Sequence, residues 1–186
     1  PFVTSSSTVA AHAATGIGIV PNRIDEVIGV AKAYVTRVGE GPFPTEIEGP
    51  DQQRVQELGG EFGTVTGRTR RCGWLDLVAL RYAVRLNGIT SLALTKLDVL
   101  SSFAEVPVCV AYRLRDGSHT SEFPAHQSDF HHCRPVYETV PGWEAPIDDG
   151  LPEAARAYVE FVEQELGVAI SLVGTGADRE RFVALR

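Results

Sequence analysis

The sequence predicts an α/β fold, with a mainly parallel sheet flanked by helices and a small antiparallel portion. Three observations point there. Segments with apolar residues at helical spacing alternate with short apolar runs, the pattern of strands joined by helical crossovers. Two short stretches, Thr95-Lys96-Leu97-Asp98 and Gly174-Thr175-Gly176, directly follow such runs, at the strand ends where open α/β sheets place their ligands. Asp116-Gly117 marks a tight turn, which makes 106–123 a hairpin rather than a crossover.

Residues 1–7 (PFVTSSS) read as the end of a buried strand entering a hydroxyl-rich loop, and Gly16 and Gly18 then break the chain. Ile24, Val27, Ile28 and Ala31 recur at helical spacing after Pro21 and predict a helix over 22–34. A short strand is expected at 35–39, a proline-rich turn at 39–44 and a short helix within 46–58. Leu75, Val78, Ala79, Tyr82 and Leu86 give a helix over 75–86 that Gly88 closes. Strands follow at 90–94, 106–114, 118–123 and 136–140. A helix over 152–166 buries Ala155, Val159, Val162 and Leu166, and strands at 168–173 and 182–185 complete the chain. No internal repeat or linker divides the chain, so 1–186 is expected to be part of a single domain.

With 44% hydrophobic and 22% charged residues, the composition is that of a globular protein able to bury a core. A net charge of −7 argues against a general nucleic-acid surface, which needs a broad basic face. No apolar run is long enough to span a bilayer, and no secretory signal is visible. Cys72, Cys109 and Cys133 do not form a disulfide framework, so a reducing cytoplasm is the expected compartment. His126, His131, His132 and Cys133 lie close in sequence, but neighbours on a strand point to opposite faces and no metal site is expected. The chain has no methionine and begins at Pro1, which suggests a fragment.

The basic residues gather in 59–76, GGEFGTVTGRTRRCGWLD. Its glycines permit close backbone approach, its threonines offer hydroxyls, and Arg68, Arg70 and Arg71 present planar forks suited to carboxylate or phosphate. Two readings stand: a loop that binds a small oxygen-rich anion, or a surface loop whose arginines pair with nearby acids. Thr95-Lys96-Leu97-Asp98 resembles the [NT]KxD guanine motif. Its aspartate accepts from both N1–H and the 2-amino group of guanine, whereas adenine presents a lone pair at N1 and lacks that amino group. Hydrogen bonds to a charged group contribute about 1.5–3 kcal/mol each, so losing two discriminates strongly. Gly174-Thr175-Gly176 can wrap a nucleoside with backbone groups.

Taken in order, VTSS, TRVGEGPFPTE, the 59–76 stretch, LTKLDVL, CVAYRL, YETVPGW and GTGADR resemble the adenylosuccinate synthetase family over essentially the whole chain. The resemblance implies a P-loop-NTPase-like fold, incomplete without an amino-terminal part, and GTP-dependent ligation of L-aspartate to IMP with Mg²⁺. It implies IMP contacts at Thr4, Val38, Gly39 and Arg68. An aspartate loop is implied at Thr64, Val65, Thr66, Gly67, Arg68, Thr69 and Arg70. GTP contacts are implied at Arg70, Lys96, Leu97, Asp98, Gly174, Thr175 and Gly176. The family's catalytic aspartate and histidine, phosphate loop and magnesium ligands are expected outside this carboxy-terminal fragment, leaving it inactive alone. A homodimer is also implied. Departures from the family pattern are Ala11 and His12 in place of glycines and Gly174 in place of a serine. The competing reading is a guanine-nucleotide-binding interaction module without ligase chemistry.

Overall fold

The computed structural model describes residues 7–65, 67–147 and 150–185. In chain order it contains α1 (Ala11–Ile17), a 3₁₀ turn (Pro21–Arg23), β1 (Ile28–Lys32), β2 (Val35–Arg37), α2 (Pro50–Gly59), β3 (Arg71–Gly73), β4 (Leu75–Asp76) and α3 (Leu77–Asn87). There follow β5 (Ser91–Thr95), a second 3₁₀ turn (Leu97–Leu100), β6 (Glu105–Arg113), β7 (His119–Thr120), α4 (Gln127–His132), β8 (Arg134–Pro141), α5 (Glu153–Leu166), β9 (Ala169–Gly174) and β10 (Phe182–Ala184).

The main sheet has the order β1-β5-β9-β10. β1, β5 and β9 run parallel, and β10 closes antiparallel on β9. A second sheet is mixed: β4 runs parallel to β6, while β7 and β8 pair antiparallel with it. The antiparallel portion is larger than the turn signal at Asp116-Gly117 suggests, because β8 follows β6 from Glu105↔Pro141 to Arg113↔Arg134. α3 packs on β6 and α5, and Arg81 pins the two helices through the Glu165 carboxylate at 2.7 Å. The core between helices and sheets is built from Tyr34, Val55, Leu77, Leu92, Leu94, Leu97, Val106, Val108, Tyr158, Val162 and Ile170, all essentially inaccessible. Each such side chain contributes about 1.5–3 kcal/mol by leaving water.

The helix expected over 22–34 is absent. Pro21–Arg23 makes one 3₁₀ turn and Ile28–Lys32 is β1. A short run rich in β-branched residues fits helical spacing and a buried strand equally. Here the partner decides: β1 pairs with β5 from Ile28↔Ser91 to Lys32↔Thr95. A side chain at Gly29 would meet Ile89 and Leu92 at 2.7 and 2.8 Å, so glycine lets the strand lie close on its neighbours. Two short helices are additions to the expected set. α1 runs through Gly16 and ends at Gly18 in the left-handed region, while α4 carries His131 and His132 in its last turn rather than on a strand. The strand expected over 1–7 falls almost wholly outside the described residues.

α3 begins two residues later than its apolar pattern implies, because Leu75-Asp76 is taken up as β4 against Val108 and Cys109. Asp76 then caps the helix, its Oδ1 accepting from the Ala79 N–H at 3.0 Å. Its other oxygen accepts from the buried Tyr112 hydroxyl. Burial pushes the Asp76 carboxyl up, against the opposing pull of these donors. Asp76→Ala is expected to destabilise the protein by about 2–4 kcal/mol, through a lost cap and an orphaned Tyr112 hydroxyl. Urea denaturation measures it, and a loss below about 0.5 kcal/mol contradicts the assigned role.

Candidate functional site

β1, β5 and β9 end side by side. Lys32 is the register partner of Thr95, and Leu94 that of Val173, so Lys32, Lys96 and Gly174 emerge at one edge of the sheet. A Cβ on Gly174 would lie 3.2 Å from the Thr95 Cα, a tight fit that shows how closely the two strand ends approach. Past Thr95 the chain turns through Lys96, at φ 59° and ψ 33°. Lys96 is the one non-glycine residue among those described with positive φ, a conformation that costs roughly 1–2 kcal/mol. Its ammonium group offsets the strain by donating to the Gly59 carbonyl and, at 3.0 Å, to Glu61 Oε1. The following 3₁₀ turn drives Leu97 into the core and holds Asp98 in its first turn.

Lys96 and Asp98 line a cavity of about 380 Å³ together with Gly59, Gly174, Gly176 and Arg181. Thr175 lies between its two glycines but is buried, with its N–H held by the Arg181 carbonyl at 2.9 Å. Asp98 Oδ1 is buried and has no hydrogen-bond partner. A carboxylate oxygen removed from water without a donor is costly, and here it belongs to a residue that lines the cavity. Beside it lie the Lys96 stem and glycine backbone, surfaces that suit a flat ring.

The 62–69 stretch is a hairpin. Phe62 bridges Thr69, Gly63 N–H donates to Arg68 O at 2.8 Å, and Gly67 N–H donates to Gly63 O at 2.8 Å. Gly67 takes φ 62°, which a glycine adopts without strain. At its tip Thr64 and Val65 face solvent, Val65 being 96% exposed, and Arg68 and Thr69 are exposed on its returning side. Its base is fixed: Arg70 N–H donates to Glu61 O at 2.9 Å, and Gln56 Nε2 donates to Arg70 O at 2.7 Å.

Beneath the base lies Glu61, whose side chain is completely buried. Oε1 accepts from Lys32 Nζ at 2.7 Å, Tyr34 OH at 2.6 Å and Lys96 Nζ at 3.0 Å, and Oε2 accepts from Arg70 Nη1 at 2.8 Å. Burial by itself pushes the carboxyl up, but the hydrogen bonds from Lys32, Tyr34, Arg70 and Lys96 together outweigh it and hold Glu61 at about 2. It therefore remains an anion throughout the neutral range. Burial pushes the Tyr34 phenol up, reinforced by its bond to Glu61, and pushes the neighbouring Cys72 thiol up to about 11.

The structure joins most of the residues singled out from sequence. Gly39 reaches the hairpin through Arg71, which donates to the Gly39 and Gly41 carbonyls at 3.2 and 3.1 Å and grips Glu46 with its fork. Val38, beside Gly39, is 66% exposed. The two readings of the arginines are thus divided. Arg70 and Arg71 pair with acids, Arg70 with a buried carboxylate at the site and Arg71 with Glu46, and Arg68 lies on the returning side of the hairpin. Thr4 and Thr66 lie outside the described residues. Sequence reasoning missed Glu61, Lys32 and Tyr34. The available signal was a single acid between glycines in an otherwise basic run.

A model of the adenylosuccinate synthetase family matches residues 1–183. The chain is 52% identical to adenylosuccinate synthetase from Acidothermus cellulolyticus, covering 100% of this chain and 45% of that one. It is 56% identical to the enzyme from Sorangium cellulosum, again over the whole chain and 44% of the relative. The fully ligated adenylosuccinate synthetase from Plasmodium falciparum superposes with a TM-score of 0.94 at 38% identity, over 100% of this chain and 46% of that structure. A succinoaminodeoxyadenylate synthetase from cyanophage S-2L shares the fold at a TM-score of 0.57 and 17% identity. The chain thus spans a little under half the length of the relatives it matches, and with strand-end cavity, hairpin and family pattern in agreement it belongs to the adenylosuccinate synthetase family.

Proposed function

We propose that this chain supplies guanine, aspartate and part of IMP recognition for the GTP-dependent ligation of L-aspartate to IMP, as the carboxy-terminal part of a longer enzyme. The observation that carries the reading is the buried, unpartnered Asp98 Oδ1 beside Lys96 at a strand end. Guanine brings the two donors that such a carboxylate lacks. The purine lies along the Lys96 stem, with Gly174, Thr175 and Gly176 closing over the nucleoside and Leu97 acting from the core as support for the turn.

The exposed hairpin takes the second substrate. Thr64, Val65, Thr66, Gly67 and Thr69 offer backbone and hydroxyl groups to L-aspartate, and Arg68 offers its fork to a carboxylate and to IMP. Arg70, tied to Glu61, sits between this hairpin and the guanine cavity. Thr4, Val38 and Gly39 face IMP. In the family reaction GTP phosphorylates the 6-oxygen of IMP and the aspartate amine displaces that phosphate. Closure of the hairpin excludes water from this intermediate.

The described residues do not fit the Mg²⁺ that the reaction implies, since no group of three or more His, Cys, Asp or Glu is placed among them to hold a cation. Its ligands, and the catalytic aspartate and histidine, are assigned to the remainder of the full-length protein, a cytoplasmic homodimer in this reading. Among the described residues no helix is long and apolar enough to cross a membrane.

In the full-length enzyme, Asp98→Asn is expected to weaken GTP by about 10- to 150-fold, the loss of about 1.5–3 kcal/mol of charged hydrogen bonding, with IMP little affected. The same change places an amide N–H opposite the 2-position, so preference shifts toward xanthine, whose 2-oxo group accepts. Equal losses for GTP and IMP in initial-rate kinetics overturn the guanine assignment. Arg68→Leu is expected to raise the aspartate KM by about tenfold or more, and an unchanged KM removes its role. The isolated 186-residue chain is expected to form no adenylosuccinate, and measurable turnover by it contradicts the division of labour proposed here.

A further inference from the structure

We propose that Glu61 is a positioning residue that couples occupation of the guanine cavity to the setting of the aspartate hairpin, through its shared carboxylate between Lys96 and Arg70. This deepens the functional reading above and rests on it.

The geometry is direct. Lys96, in the strained turn that presents Asp98, is 3.0 Å from Glu61 Oε1, and Arg70, at the base of the hairpin, is 2.8 Å from Glu61 Oε2. One carboxylate therefore stands between the residue that sets the guanine-facing turn and the residue that sets the loop. Arg70 adjoins Thr69, whose bridge to Phe62 closes the hairpin. Complete burial matters here. An exposed ion pair exchanges partners with water and transmits little, whereas a buried carboxylate whose donor shifts must be satisfied by the donors that remain.

The remaining donors are of two kinds. Lys32, at the end of β1, and Tyr34, in the core, hold the carboxylate against rigid elements. Lys96 and Arg70 belong to segments that face the ligands. Lys96 also has a second acceptor in the Gly59 carbonyl, one residue past the exposed Leu58 at the end of α2. A purine resting on the Lys96 stem fixes how this ammonium divides itself between Gly59 and Glu61, and so how strongly Oε2 holds Arg70. Glu61 keeps its charge across the working pH range, so the link is not lost by protonation. Coupling of this kind is reciprocal: aspartate on the hairpin changes guanine-nucleotide affinity by the same factor.

The test uses the full-length enzyme with IMP saturating and a non-hydrolysable GTP analogue titrated calorimetrically with and without L-aspartate. Wild type is expected to show at least about a fivefold change in analogue Kd on adding aspartate. Glu61→Gln is expected to bring that factor to within about twofold of unity, a readout that general loosening of the fold does not mimic. Should Glu61→Gln fail to fold, Glu61→Asp keeps the charge but withdraws it by one methylene, and its factor is expected to fall about threefold below wild type. A wild-type factor of one, or a wild-type factor retained in the folded variants, overturns the proposal. Asp98→Asn measured in parallel separates the two levels. If it leaves base preference unchanged, the guanine reading itself fails. If preference shifts while the Glu61 variants keep full coupling, only the role of Glu61 is wrong.

Discussion

A buried carboxylate is the constraint on which this structure turns. Glu61 has no exposed surface, and an isolated anion there would be prohibitively costly. Lys32 from the end of β1, Tyr34 beyond it, Lys96 from the turn after β5 and Arg70 from the hairpin base all converge on it. Those donors are up to 35 residues from Glu61 along the chain. Satisfying one charge thus fixes the relative placement of two strand ends, the end of α2 and the root of the loop.

The parallel sheet prepares this meeting. Because β1, β5 and β9 share direction and register, their carboxyl ends and the turns beyond them collect at one edge. Lys32, Lys96 with Asp98, and Gly174 with Gly176 gather there by topology. The strain at Lys96 belongs to the same arrangement: a left-handed turn aims the ammonium at Gly59 and Glu61 and leaves Asp98 facing the cavity. A fold that tolerates an unpartnered carboxylate oxygen and a strained lysine at one point has given up stability there, which is the mark of a candidate site.

Much of this was legible in the residues alone. Periodicity located α3 and α5, a short helix was expected within the acidic 46–58 stretch where α2 lies, and the short strand-like runs located β5, β6, β8 and β9. The 62–69 loop and the 95–98 turn were legible for another reason: glycine, arginine and aspartate are placed by local chemistry that does not depend on distant partners. The helix expected over 22–34 failed because Ile24, Val27, Ile28 and Ala31 sit at helical spacing while the continuous run 27–31 (VIGVA) suits a strand as well. Only the hydrogen bonds to β5 choose between them. α4 escaped notice because none of its residues is buried, so no apolar face marks it. Arg71 is another such case. It reads as a ligand-binding arginine beside Arg70, yet its fork is fully engaged with Glu46 and the 39–41 turn.

By itself, then, the order of residues determined the α/β class, the turns that follow the strands and the family to which they correspond, since all of these depend on local pattern and composition. The tertiary structure decided which charges meet. Glu61 is one acid among 24 acidic residues, and its setting between glycines marks it as unusual without saying which charges it meets. It becomes the centre of the site only when folding strips it of water and brings Lys32, Tyr34, Arg70 and Lys96 within hydrogen-bonding reach. Desolvation and long-range convergence are properties of the packed chain, and no short window of sequence contains them.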